Sequence, residues 1–217
     1  MKRLFQNFFW SLPLAARLFV SVFAIGYPLA QLGLRCHLFD AYQPLALMAP
    51  LVGKGQVWRV ITYAFLPGCI AEWVVNLFWL ATLASVVARN WRGPGFWGYC
   101  LLGAAAGAVP FLIAGSAGLV LGPQAMTLAL LVAWERLFGN ERILLLGLGE
   151  LSVRQTAILV AIVNSVITLF LSGWLFLASM WCGGLAGWLY FVVHQWKVLR
   201  RPANAAPNSE RIARLEL

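Results

Sequence analysis

Residues 93–134 and 155–196 are two runs of 42 without a single Asp, Glu, Lys or Arg. A soluble domain carries a charge about every fourth residue and cannot leave such gaps. A bilayer span needs roughly 20 apolar residues, so each run holds two spans joined by a tight turn. Two shorter stretches behave alike. Residues 18–34 carry no charge, and residues 60–88 carry only Glu72. The whole chain is 62% apolar and 11% charged. That excludes an ordinary soluble domain, a disordered chain and a disulfide-stapled secreted domain.

The breaks inside the long runs are legible. Ala114-Gly115-Ser116-Ala117-Gly118 interrupts the first. Gly122-Pro123 then marks a helix start, because proline suits the first helical position. Ser172-Gly173 is the turn in the second. The expectation is an all-α polytopic bundle of six transmembrane helices over 12–34, 69–88, 94–113, 122–137, 155–171 and 174–195. The domain plan is an N-terminus 1–11, a membrane domain 12–196 and a basic tail 197–217. The basic start followed by an apolar run mimics a signal peptide. The run is long for one and no clean A-x-A site follows, so it reads as a retained first span. Residues 209–217 are expected to form a short amphipathic helix.

The net charge of +9 calls for an explanation. With the N-terminus inside, the inner segments hold Lys2, Arg3, Arg17, Arg89, Arg92, Arg136, Arg142, Arg154, Lys197, Arg200, Arg201, Arg211 and Arg214. The outer segments hold only Arg35, Lys54 and Arg59. These thirteen and three make up the sixteen Lys/Arg of the chain. The bias places both termini in the cytoplasm by the positive-inside rule. The expected location is a bacterial inner membrane. Basic residues scattered as a rim, not gathered in a groove, argue against a nucleic-acid partner. The expected partners are the lipid bilayer and other transmembrane proteins or a larger membrane complex.

The first outer loop, 36–59, is unexpectedly apolar, with Leu38-Phe39, Leu45-Ala46-Leu47-Met48 and Pro50-Leu51-Val52. It is expected to lie in the outer leaflet or against the helices. It ends in Trp58-Arg59. These two suit the headgroup region, with a half-buried indole and a guanidinium on phosphate.

From about Gly55 to Phe191 the chain resembles the rhomboid superfamily of intramembrane serine proteases and their inactive relatives. Gln56-Val57-Trp58-Arg59-Val60-Ile61-Thr62 resembles the Trp-Arg segment ahead of the second rhomboid helix. Asn76 sits where that family places the Asn of a His-x-x-x-Asn element. Phe138-Gly139-Asn140 with Arg142-Ile143-Leu144-Leu145-Leu146 resembles the inner loop after the fourth helix. Gly183 and Gly187 in Gly183-Gly184-Leu185-Ala186-Gly187 resemble the GxxxG pair of the sixth. Alone, a GxxxG marks only close helix packing.

The resemblance implies a serine nucleophile on the fourth helix and a histidine base on the sixth, since a hydroxyl needs a base within reach. A His and an Asn from the second helix would help hold the oxyanion. The matching positions here are degenerate. Gly122-Pro123-Gln124-Ala125 puts Gln124 in place of the nucleophile. Ser179-Met180-Trp181-Cys182-Gly183 puts Met180 in place of the base. The second-helix His falls on Glu72, and an upstream loop His falls on Pro67. Ser116 lies too far upstream of Phe138-Gly139 to substitute. The two histidines, His37 in the outer loop and His194 at the inner end of the last span, are misplaced, and no lysine lies between Lys54 and Lys197. No enzymatic activity is therefore expected.

Glu72 and Asn76 share a helix face, and Gln124 begins the fourth helix on the same side. A carboxylate at membrane depth needs a partner or water. The cluster is read either as a site for a peptide or lipid headgroup, or as a structural hydrogen-bond cluster, with Arg59 as a further partner for Glu72. Cys36 and Cys69 are close enough to the outer face for a disulfide. No metal-ligand spacing, phosphate-binding glycine loop or cofactor motif is present, so no metal and no cofactor are expected. The eleven Trp and fourteen Phe read as lipid belts and packing, with pigment or quinone contact as the alternative. As a rhomboid pseudoprotease, the chain would hold client transmembrane segments at an opening between its second and fifth helices. The other readings are a fixed accessory subunit of a membrane complex, an enzyme with unfamiliar chemistry at Glu72, and a transporter, for which no inverted repeat speaks.

Overall fold

The computed structural model describes residues 12–37, 40, 42–91, 93–145 and 149–199. Residues 1–11, Leu38-Phe39, Arg92, Arg200 and the tail from 201, with its expected helix at 209–217, lie outside the described residues.

Among the described residues six long helices dominate. They are α1 (Leu14–Arg35), α5 (Ile70–Asn90), α6 (Gly93–Ile113), α7 (Gln124–Phe138), α8 (Val153–Ser172) and α9 (Trp174–Leu199). Between α1 and α5 come three short helices, α2 (Tyr42–Leu45), α3 (Ala49–Gly53) and α4 (Arg59–Thr62), and a 3-10 turn at Tyr63–Phe65. Among the described residues five helices are long and apolar enough to cross a membrane: α1, α5, α6, α8 and the 174–193 part of α9. The outward faces of α1 and α8 are rows of exposed Leu, Ile and Val that water would not tolerate. The protein is a mostly helical, polytopic integral membrane protein in contact with lipid.

The expected fourth span, α7, is different. Its 15 residues rise about 22 Å, short of the roughly 30 Å hydrocarbon core. It is also the most enclosed helix, with every residue from 125 to 131 buried. Helix α9 packs on it most closely, and α6, α5 and α8 surround it on its other sides. It starts two residues later than the expected 122. Pro123 precedes the helix as its N-cap, and Gln124 is the first helical residue.

The all-α expectation also needs an addition. The loop after α7 folds as an antiparallel hairpin, β1 (Arg142–Leu145) and β2 (Gly149–Ser152), in register Arg142↔Ser152 to Leu145↔Gly149. The hairpin runs straight into α8, which starts earlier than expected because Ser152 caps it. Ser152 Oγ accepts from Gln155 N at 3.2 Å, and Gln155 Oε1 accepts from Ser152 N at 3.0 Å. This is a reciprocal capping box.

In lipid, apolar helices gain little from leaving the solvent, so close backbone approach holds them together. Ala125 and Ala129 of α7 form a small-residue ridge. Gly103 and Gly107 of α6 press on it from one side, and Gly183 and Gly187 of α9 from the other. Three buried hydroxyls lock the seams. Tyr63 donates to Ala104 O at 2.9 Å, Ser179 to Gly107 O at 2.6 Å and Tyr99 to Ala129 O at 2.6 Å.

Candidate functional site

Glu72 lies in the first turn of α5, where the positive end of the helix favours a carboxylate. Its Oε1 accepts from Gln124 Nε2 at 2.7 Å, and its Oε2 accepts from Gly68 N at 2.8 Å. Helix α5 is capped by Cys69, whose Sγ accepts from Glu72 N at 3.5 Å. One turn further, Asn76 Nδ2 donates to Glu72 O at 2.9 Å, and Thr127 Oγ1 approaches Asn76 Oδ1 at 3.5 Å. The fold thus brings Glu72, Asn76 and Gln124 together and adds Thr127. Gly122 makes this possible. It adopts φ +119°, and a Cβ there would lie 2.5 Å from Glu72 Oε1.

Below the cluster is a small cleft of about 30 Å³, lined by Asn76, Trp79 and Leu83 of α5, Gln124 and Thr127 of α7, Asn164 and Thr168 of α8 and Met180 of α9. A water needs roughly 10–15 Å³ by this measure, so the cleft has room for about two. Asn76, Gln124, Thr127 and Asn164 offer the donors and acceptors such waters require. Met180 is fully buried, with Thr168 Oγ1 3.9 Å from its Sδ. Helices α5 and α8 hardly touch each other, and the cleft lies between them.

Trp58 and Arg59 occupy different surroundings, and the expectation for the Arg59 guanidinium is corrected. Trp58 is half exposed, and its indole N–H donates to Pro44 O at 3.1 Å. Arg59 is only 4% exposed. It donates through Nη1 to Ala46 O at 2.6 Å and through Nε to Gln56 Oε1 at 2.7 Å. The guanidinium therefore staples the first loop from inside and faces neither phosphate nor Glu72. The loop is fixed from other directions too. Leu47 and Val120 exchange both backbone hydrogen bonds at 3.0 Å, Ala49 N donates to Ser116 O, and Thr62 Oγ1 donates to Leu45 O.

The remaining candidates scatter. Ser116 lies in the loop between α6 and α7, His37 is exposed in the turn after α1, and His194 belongs to the last turns of α9. Pro67 is buried ahead of α5. Cys36 and Cys69, between which the sequence left a disulfide open, are free thiols, and Cys69 serves as a helix cap. Gly183 and Gly187 sit on the ridge of α7. Sequence reasoning missed their counterparts, Gly103 and Gly107, although these have the same spacing. It also missed Thr127, one turn after Pro123. The chain matches no protein-family model, and no curated protein aligns with it.

Proposed function

We propose that this chain is a rhomboid-like, catalytically inactive membrane protein whose bundle binds transmembrane segments of client or partner proteins, in an adaptor, chaperone or assembly role. The observation that carries the reading is one cleft lined by Gln124, Met180 and Asn76. These are the positions at which the resemblance calls for the nucleophile, the base and an oxyanion donor. Their convergence from α7, α9 and α5 is what that architecture requires. A glutamine amide is no nucleophile and a thioether accepts no proton at neutral pH, so neither can open a Ser–His reaction.

In this reading α7 is the fourth of six membrane helices, and both termini face the cytoplasm of a bacterial inner membrane. Arg17, Arg89, Arg136, Arg142 and Arg154 at the N- or C-terminal ends that would face inward support that orientation. The sparse contact between α5 and α8 supports a lateral entry between these two helices.

A photo-crosslinking amino acid at Asn164, beside the cleft, and at Leu14, on the lipid-facing side of α1, tests the proposal in native membranes. Asn164 should capture other membrane proteins, and Leu14 should capture lipid. Identical patterns from the two sites would sink the client-binding reading. One fixed stoichiometric partner would favour an accessory subunit. Inactivity is tested with a fluorophosphonate probe and a model transmembrane substrate. Specific labelling of Ser116, or cleavage, would overturn it.

A further inference from the structure

A second cavity lies away from the polar cluster, toward the hairpin end of the bundle. It is a groove of about 440 Å³ between α7, α8 and α9, more than ten times the cleft described above. Leu131, Ile158, Ala161, Trp181, Leu185 and Trp188 give it an apolar wall. Trp181, Leu185 and Trp188 recur at helical spacing on one face of α9, and all three are exposed although they face the groove. One end of the groove is charged. Glu135, Arg136 and Arg154 line it there and also line a polar cup that continues past Gly139 and Glu141.

The charged end is built around one shared carboxylate. Arg154 Nε lies 3.0 Å from Glu135 Oε1 and Arg136 Nε lies 3.3 Å from Glu135 Oε2. Two guanidiniums against one carboxylate give the groove's own lining a net charge of +1, and the adjoining cup adds the carboxylate of Glu141. Glu135 is largely covered, whereas the two arginine side chains are 41% and 60% exposed, so the positive groups face outward. Each guanidinium carries further N–H donors beyond Nε, in the fork geometry that fits phosphate oxygens.

An apolar slot open to the bilayer and ending in outward-facing arginines is complementary to one class of molecule. We propose that this groove holds an acyl chain of an anionic phospholipid from the leaflet at the hairpin end, with the lipid phosphate against Arg136 and Arg154. The site is independent of the rhomboid reading, because it uses none of Glu72, Asn76, Gln124 or Met180. It gives the loosely packed α8 a second surface to lean on, so the lipid would act as a structural wedge between α8 and α9.

The test uses the full chain purified in mild detergent and exposed to phosphatidylglycerol and phosphatidylcholine of matched chains, with retained lipid counted by native mass spectrometry. One phosphatidylglycerol per protein should survive washing in preference to phosphatidylcholine. The pair Arg136→Gln and Arg154→Gln should weaken it by about five-fold per arginine, the usual worth of a basic residue at an anionic membrane surface. Glu135→Gln, which removes the competing carboxylate, should strengthen it. Ala161→Trp, which fills the apolar slot, should remove it. Excess inorganic phosphate should not displace it. Equal retention of the two lipids, unchanged retention in the Ala161→Trp protein, or displacement by phosphate would each overturn the assignment. Should the double arginine variant not fold, Glu135→Gln and Ala161→Trp decide the matter by their opposite signs.

Discussion

Adding one methyl group at Gly183 should be enough to open the centre of the bundle. A Cβ there would meet the Ala125 carbonyl oxygen and lie 2.7 Å from its carbon and 2.8 Å from Ala125 Cα. Comfortable carbon–carbon separation is roughly 3.5–4.0 Å, so α9 must retreat from α7 by about 1 Å. The neighbour is backbone in a buried helix and cannot rotate away. The retreat also lifts Gly187 from Ala129, whose Cα lies 3.2 Å from a Cβ built there. A gap of about 1 Å forfeits up to roughly half of each dispersion contact along the seam. Overpacking of this kind costs about 1–3 kcal/mol and occasionally more. Alanine returns up to about 1 kcal/mol through helix propensity. The expected net loss for Gly183→Ala is about 1–2 kcal/mol, or a fall in Tm of roughly 2–8 °C for a chain of this size. Gly98 on α6 is the control. A Cβ there meets nothing within 4 Å, so Gly98→Ala should gain stability by the same propensity argument. Tryptophan fluorescence during heating in mild detergent reads both. A Gly183→Ala protein as stable as the Gly98→Ala protein would refute the claim that backbone contact at this seam holds the bundle.

Three further outcomes are expected. Arg59→Met leaves Ala46 O and Gln56 without their buried donor and should cost about 2–3 kcal/mol, with faster proteolysis near Pro44; Arg59→Lys should not restore it, because an ammonium cannot span both acceptors in the same fork. Tyr63 lies ahead of α5, and burial pushes its phenol well above the usual tyrosine range. The folded form then holds its proton more tightly than the unfolded form, so stability should fall once pH rises above about 10, and Tyr63→Phe should flatten that fall in a pH series of melting curves. Glu72→Gln keeps one carbonyl acceptor for either Gln124 or Gly68 and should melt close to the parent, whereas Glu72→Ala, which strands the buried side of Gln124, should lose about 1–3 kcal/mol; a phenotype unchanged by Glu72→Gln removes any enzymatic role for the carboxylate.

The helix ends were readable because glycine, proline and charge mark them. Gly115, Gly122 and Gly173 all adopt positive φ at the breaks where the sequence places turns. The hairpin was not readable, because Arg142 to Ser152 is a leucine-rich run whose strand character rests on pairing with the facing strand. Arg59 shows a different limit. A Trp-Arg pair at a membrane edge fits phosphate as well as it fits a folded loop. The Ala46 carbonyl that claims the guanidinium is 13 residues away and meets it only when the loop turns back. The polar cluster was half readable. The spacing of Glu72 and Asn76 is a helix-face argument, whereas the contact between Glu72 and Gln124, 52 residues apart, followed from no periodicity.

The short α7 gives the apolar first loop its purpose. A helix of about 22 Å leaves some 8 Å of a 30 Å core without helix at that point. Irregular backbone is tolerated at that depth only where protein covers it and every N–H and C=O is bonded. Residues 114–123 begin in that gap, and the first loop folds onto them. Leu47 and Val120 exchange hydrogen bonds, Ala49 N reaches Ser116 O, and Gly122 N reaches Tyr63 O at 3.2 Å. Leu47 and Val120 are buried, so the bridge is closed to water. On the proposed reading of α7 as the fourth membrane helix, the loop is apolar because it substitutes for the missing turns of α7 and must face the same surroundings. Its amides should therefore exchange like helical ones. In hydrogen exchange on the purified protein, Leu47, Ala49 and Val120 should be protected as strongly as the centre of α6. Exchange as fast as that of the exposed residues 53–55 would mean that the loop only rests on the membrane, and that something else covers the start of α7.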